Sequence, residues 1–224
     1  RKGADKIKIL EDTNGDGRCD KVTVFADGLN IPTSLTFGNG GVYVHHAAET
    51  LFLKDTNGDD KADVRELVLK GWGTGDTHAG PSNLRYGLDN QIWGTVGYSG
   101  FSNNGQRFGM GVYRFTKSGS SLEFLHQFNN NTWGMGFNPS GDVFGSTANN
   151  NPSFFGGIPA TILPEGKGLS AKMIASSPTF HPITPNIRQV DVFGGYTAAA
   201  GHAFANSDNF PESGRGKRAF VAGP

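Results

Sequence analysis

The stretch Ser34–Gly71, SLTFGNGGVYVHHAAETLFLKDTNGDDKADVRELVLKG, decides the fold class. It divides into four strand-length parts, SLTF, GVYVHH, ETLFLKD and ADVRELVLKG, rich in β-branched and aromatic residues and punctuated by Gly, Asn and Asp. The unit restarts at Ser82 as SNLRYGLDN, QIWGTVGYS, MGVYRFTKS and SLEFLHQFN. It restarts again at Thr132 as TWGMGFNPS and DVFGSTANN, the two restarts lying 48 and 50 residues on. Four antiparallel strands in roughly 40 to 50 residues is the spacing of a propeller blade, which buries its apolar faces only by stacking on neighbouring blades.

Outward from this core, IKIL and DKVTVFADGL read as the outer half of a blade, and GHAFANSD with RAFVAGP reads as an inner half. The expectation is an all-β fold, a β-propeller of four-stranded antiparallel blades of the six-bladed type. It is incomplete in this chain, a single domain fragment over residues 1–224 with about four blades, unless the two ends are simply frayed. The Gly- and Pro-rich stretch near 150–180 breaks the period and is expected to be an insertion covering one face of the disc.

Composition agrees with short strands and tight turns: 34 glycines, 17 phenylalanines and 18% charged residues. Lys plus Arg equals Asp plus Glu at 20 each, so there is no global field to attract nucleic acid or an acidic membrane surface. A single cysteine, Cys19, excludes an internal disulfide, a cysteine zinc site and a CxxCH haem within these residues. There is no long apolar run, and RKGADKIKIL lacks a signal-peptide core. Either the chain is cytosolic or, as the interrupted pattern favours, it is periplasmic or secreted, with its targeting segment and any membrane attachment outside this sequence.

Two acidic loops are near copies, DTNGDGRCD at Asp12–Asp20 and DTNGDDKAD at Asp55–Asp63. Oxygen side chains stand at the first, third, fifth and ninth positions: Asp12, Asn14, Asp16 and Asp20, then Asp55, Asn57, Asp59 and Asp63. Alternate residues of a tight loop present such oxygens to one point, with the carbonyls of Arg18 and Lys61 filling in, as Ca2+ requires. A helix–loop–helix hand would close with Glu at the twelfth position. Glu66 stands there in the second loop but Thr23 in the first, and both flanks alternate like strands, so these are hairpin loops. The competing reading is turn chemistry alone, Asp and Asn bonding their own backbone.

In a propeller the segment leading into each innermost strand opens on the central channel. Here those segments are NIPT, GDTHAGP, NNNT and AAAGHAF, which carry His78 and His202 with Asn30, Asn130 and Asn131 nearby. His78 follows Asp76 and Thr77, and Arg85 lies just beyond; imidazole is the usual general base near neutral pH. Single histidines are more often structural. His45 and His46 must point to opposite faces of their strand. No GxSxG, Walker loop, Rossmann fingerprint or HExxH motif is present.

Three stretches carry a family resemblance: KIKILEDTNGDGRCDKVTVFADGLNIPTSL, ETLFLKDTNGDDKADVRELVLKGWGTGDTHAGPSNLRYGLDNQIWG and GHAFANSDNFPESGRGKRAFVAGP. They resemble the propeller of large haem-binding proteins described as membrane-bound dehydrogenases of planctomycetes and verrucomicrobia. More distantly, the chain is similar to the soluble quinoprotein glucose and sorbosone dehydrogenases, six-bladed enzymes that use pyrroloquinoline quinone and calcium. Their histidine followed by LxFGxDGxLY is matched by His78, Leu84, Tyr86, Gly87, Leu88, Asp89, Asn90, Ile92 and Trp93, with Asn90 in place of the turn glycine.

The resemblance implies a dehydrogenase propeller that oxidises a sugar or polyol. His78 would be the base, with Arg85 or Arg188 as anion partner and Arg188 and His202 near the quinone. Electrons would pass to a cytochrome-type acceptor, a haem in a separate domain. The competing reading is a noncatalytic, calcium-stabilised propeller that binds carbohydrate or protein, with Trp72, Trp93, Trp133, Phe154 and Phe155 available to stack on sugars or to fill the core.

Overall fold

The computed structural model describes residues 3–149, 152–162, 174–177, 183 and 196–223. Its first sheet pairs β1 (Asp5–Glu11) with β2 (Lys21–Leu29) across the first acidic loop. A four-stranded sheet follows, β3 (Leu35–Gly38), β4 (Gly41–His46), β5 (Glu49–Lys54) and β6 (Val64–Lys70), each hydrogen-bonded antiparallel to the next. The second four-stranded sheet is β7 (Pro81–Tyr86), β8 (Ile92–Val96), β11 (Gly111–Phe115) and β12 (Leu122–Gln127). The third is β13 (Thr132–Phe137), β14 (Val143–Thr147), β15 (Ser153–Phe155) and β16 (Ile174–Ser177), and the pair β17 (Ala200–Phe204) and β18 (Ala219–Ala222) closes the series.

These are propeller blades, and the packing shows why the sequence makes them. The period-2 alternation of a strand sends neighbouring side chains to opposite faces. On β8, Ile92 and Val96 join Tyr43, Trp72, Tyr113 and Phe115 in the core shared with the preceding sheet, while Trp93 joins Leu125, Met135 and Phe154 in the core shared with the following one. On β11 the same split separates Tyr113 and Phe115 from Val112. A third core of Leu29, Val44, Leu51 and Leu53, backed by Ile7 and Phe25, glues the β1–β2 pair to the first full blade. The first and second four-stranded sheets are thus each a wall between two cores, which no isolated sheet could stabilise.

The innermost strands β3, β7, β13 and β17 run side by side in the same direction. Asn131, at the start of β13, lies against Gly97 and Ala79 at the start of β7, while Leu88 in the turn after β7 lies against Gly141 in the turn after β13. Two features were not expected from the sequence. A short hairpin, β9 (Phe101–Asn103) and β10 (Gln106–Phe108), turns on Asn104 and Gly105 at positive φ and lays Phe101 and Phe108 on Trp72. Within the stretch 150–180, read as an insertion, Ser153–Phe155 and Ile174–Ser177 are the third and fourth strands of the third blade. Asn90 adopts φ 58°, the left-handed conformation that asparagine tolerates, which accounts for its standing where the motif has glycine. No helix of the described residues is long and apolar enough to cross a membrane.

Candidate functional site

One end of the inner strands gathers the segments that lead into them together with the loops that leave the second strands. At the start of β7 a single 3-10 turn, Thr77–Ala79, is capped by Asp76, whose Oδ1 accepts the His78 amide at 2.9 Å. Ser99, beyond β8, pins this turn from the other side. Its hydroxyl donates to the Asp76 carbonyl at 2.6 Å, and its amide donates to the Ala79 carbonyl at 3.0 Å. The backbone is therefore fixed while the imidazole is free: the His78 side chain is 93% exposed, with Nδ1 3.6 Å from Asp76 Oδ1. That separation is too long for a hydrogen bond but within ion-pair reach of a protonated ring, and Nε2 is open to solvent.

Beside this turn lies a rim of amides and hydroxyls. Tyr98 donates to Asn130 Oδ1 at 2.5 Å, and the same oxygen accepts the Asn131 amide at 2.6 Å. The Asn131 side chain occupies the space a Cβ on Gly97 would take, and its Oδ1 is buried without a hydrogen-bond partner. The Asn131 carbonyl accepts the Ala148 amide at 2.7 Å, and Thr197 donates to Asn149 Oδ1 at 2.6 Å, which carries the rim on to β17. On the other side Thr33 donates to the Pro81 carbonyl at 2.5 Å, and the Asn30 amide donates to His46 Nδ1 at 2.9 Å. His78, Asn30, Asn130 and Asn131 thus belong to one end of the blades. Tyr98, Ser99 and Asn149 were missed, although the loops that leave second strands lie on the same face and the same topological argument reaches them.

Other expectations are corrected. Arg85, expected beside His78 as anion partner, is near the far end of β7, where it pairs with Trp93 next to the turn. Four strand steps from Pro81 to Arg85 span about 13 Å before the turn that carries His78 is added, too far for both to grip one small reacting centre. His202, expected to open on the channel, is instead packed between blades. It is 1% exposed, its Nε2 lies 3.0 Å from Ser153 Oγ, and its ring meets Phe144 and Phe204. Burial, then the charge of Arg85, pushes its pKa down to about 4. His45 and His46 do take opposite faces: His45 is sealed in the core, with Nδ1 2.9 Å from Thr50 Oγ1 and Nε2 2.5 Å from the Tyr113 hydroxyl. Arg188 lies outside the described residues. Trp72, Trp93 and Phe154 are core residues rather than a sugar platform.

In the acidic loops the side chains hold the turn. Asp12 accepts the amides of Gly15, Asp16 and Gly17 at 2.7 to 3.2 Å, Asn14 accepts that of Asp16, and Asp16 that of Arg18. Asp55, Asn57 and Asp59 repeat this, with the Lys61 amide donating to Asp59. The closing residues Asp20 and Asp63 each grip a threonine, Thr13 and Thr56. These amide bonds, led by Gly17, Thr13 and Gly58 respectively, hold the carboxyls of Asp12, Asp20 and Asp55 below the usual range. Asp60, in place of a glycine, sits at φ 63°. Among the described residues no three His, Cys, Asp or Glu side chains gather at one point as a metal site.

The rim suits a neutral polyhydroxy ligand, for which amides and hydroxyls both donate and accept. It does not by itself suit the anionic end of a tricarboxylate quinone. Among the described residues Arg85 lies at the wrong end of β7, and the charge of Arg65 reaches only as far as His46, beside Asn30 at the edge of the rim.

A family model described as "Domain of unknown function (DUF7133)" matches residues 1–224. No curated protein matches the chain. Among solved structures, the PQQ-bound form of an aldose sugar dehydrogenase from Streptomyces coelicolor superposes with TM-score 0.52 at 14% identity, covering 93% of this chain and 66% of that enzyme. A structure described as glucose dehydrogenase superposes with TM-score 0.54 at 13% identity, covering 97% of this chain and 73% of that one. The chain therefore spans just under two thirds of the Streptomyces enzyme's length, and at these identities the likeness is one of fold.

Proposed function

The chain belongs to the DUF7133 family, and from that premise we propose that its His78 face binds a sugar or polyol and takes part in its oxidation. The observation that carries the reading is the pairing of a rigid turn with an exposed imidazole. Asp76 and Ser99 fix the backbone on both sides of His78 while the ring stands free at the rim. His78 Nε2 would take the proton of the hydroxyl being oxidised, with Asp76 steadying the imidazolium that results. The amides of Asn130, Asn131 and Asn149 would orient the neighbouring hydroxyls.

Oxidation also needs an acceptor for the hydride. The Streptomyces enzyme is PQQ-bound; pyrroloquinoline quinone would supply such an acceptor at a position that the amide rim does not itself provide, with a cytochrome-type protein as the onward electron acceptor. Calcium at Asp12–Asp20 and Asp55–Asp63 is a separate part of the proposal, supported by the oxygen side chains at alternate positions of both loops.

The test is dye reduction by the protein with pyrroloquinoline quinone and calcium across a panel of aldoses and polyols, beside calorimetric titration of the same sugars. Saturable reduction supports the oxidoreductase. Binding that His78→Asn leaves intact, with no reduction by any sugar, would instead establish a noncatalytic carbohydrate-binding face.

A further inference from the structure

Tyr98 is anchored at both ends and yet stands open. It occupies the turn that leaves β8, where the Gly100 amide donates to the Gly97 carbonyl at 3.2 Å. Two bonds tie that turn to the backbone beside His78: the Gly97 amide donates to the Gly80 carbonyl at 3.4 Å, and the Ser99 amide to the Ala79 carbonyl at 3.0 Å. At the tip of the side chain the hydroxyl donates to Asn130 Oδ1 at 2.5 Å, and Asn130 is itself only 9% exposed. Tyr98 is nevertheless 56% exposed. With backbone and hydroxyl both held, the ring between them is a fixed apolar surface turned to solvent.

The other aromatic side chains do not share this position. Trp72, Trp93 and Phe154 are packed in the cores. Of the other exposed Phe, Tyr and Trp side chains among the described residues, Phe37 lies toward the far end of β3, and Phe210 and Phe220 stack on each other with ring centroids 5.7 Å apart. Tyr98 is also close to the imidazole. It and His78 are each one residue from the Ser99–Ala79 hydrogen bond, which keeps their Cα atoms within about 12 Å of each other. Two side chains of this size and one sugar ring can bridge that span.

We propose that Tyr98 is the platform on which a sugar ring stacks at the His78 face, and that it makes this face prefer cyclic sugars to open-chain polyols; the proposal rests on the reading of that face as one that binds sugars. An aromatic face carries partial negative charge. The C–H groups on one side of a pyranose carry the opposite sign, so the two flat surfaces are complementary. The anchored ring loses little freedom on binding and neither does a pyranose, whereas an open-chain polyol must freeze several bonds to present a comparable surface. The amides of the rim meet hydroxyls in either ligand and do not tell ring from chain; the Tyr98 ring does.

Calorimetric titration of aldopyranoses, each beside the alditol made by reducing it, tests the platform without requiring turnover. At least one pyranose is expected to bind the parent protein about tenfold more tightly than its alditol. Tyr98→Leu should weaken that sugar by about tenfold and abolish its advantage over the alditol. Tyr98→Trp should stay within about threefold of the parent, and Tyr98→Phe should fall between the two, because it keeps the face but loses its hold on Asn130. Pyranose affinity that survives Tyr98→Leu, or a parent that binds pyranose and alditol equally, would overturn the platform and leave the His78 reading standing. A loss as large in Tyr98→Phe as in Tyr98→Leu would also overturn it, since the hydroxyl's bond to Asn130 would then be the whole role of the residue. Binding that depends on Tyr98 without any dye reduction would uphold the platform and sink the oxidoreductase reading. A parent protein that binds neither class would overturn both.

Discussion

Gly97 and Asn131 set the rim at the scale of single residues. The asparagine side chain fills the space a Cβ at 97 would need, so Gly97→Ala must push Asn131 aside and crowd the Ala79 backbone 3.0 Å away. Urea denaturation should show a loss of about 1 to 3 kcal/mol, the usual range for an extra methyl in a packed site; a change near zero would mean that Asn131 moves freely and is no part of a built rim. Ser99 acts differently. It holds the turn by two hydrogen bonds without meeting the ligand, so Ser99→Ala should lower kcat with little change in sugar affinity. His78 and the asparagines were legible in the sequence because their place follows from topology, each preceding an inner strand. The partners of Asp76 were not, since Ser99 is remote in sequence and ordinary in type.

At the scale of elements, the long strands were readable because runs of five or six residues rich in β-branched and aromatic side chains, bounded by turn residues, are a physical signal. β4, β8 and β11 carry it plainly and are buried on both faces. The three-residue strands β9, β10 and β15 were not, being too short to show a period. The acidic hairpins were legible as loops, but their sequence fits both an ion site and a self-bonded turn, and the amide bonds of Asp12 and Asp55 show that the turn exists on its own terms. Millimolar calcium should raise the Tm of the protein, and the double variant Asp12→Ala with Asp55→Ala should lose that response. No calcium response in the parent protein would leave these loops with turn formation as their whole role.

Across the whole molecule, blade stacking explains what sequence reasoning misjudged about histidine. An inner strand sends its side chains into the interfaces between blades, so His202 became core although its segment borders the axis. His45, His126 and His202 are each at most 1% exposed, and burial pushes their pKa values down to about 3, 4 and 4. The folded state keeps them neutral, whereas the unfolded chain protonates them near the ordinary 6.5. Their contribution is therefore complete above about pH 6.5 and is lost as the pH falls toward 4, at up to about 1.4 kcal/mol per pH unit for each ring. Urea midpoints should drop steeply between pH 7 and pH 5; a flat profile would mean that the imidazoles open to solvent. The same stacking of blades puts His78 and Arg85 at opposite ends of one inner strand, so the functional reading, which rests on the exposed His78 imidazole, gives Arg85 no part in the reaction. The decisive measurement is dye reduction of the best sugar substrate by His78→Asn and Arg85→Gln, both checked for folding, with pyrroloquinoline quinone and calcium present. Loss of at least about 100-fold in kcat for His78→Asn, with Arg85→Gln within about 3-fold of the parent, is the expected result. Equal losses in both variants, or a larger loss in Arg85→Gln, would contradict it.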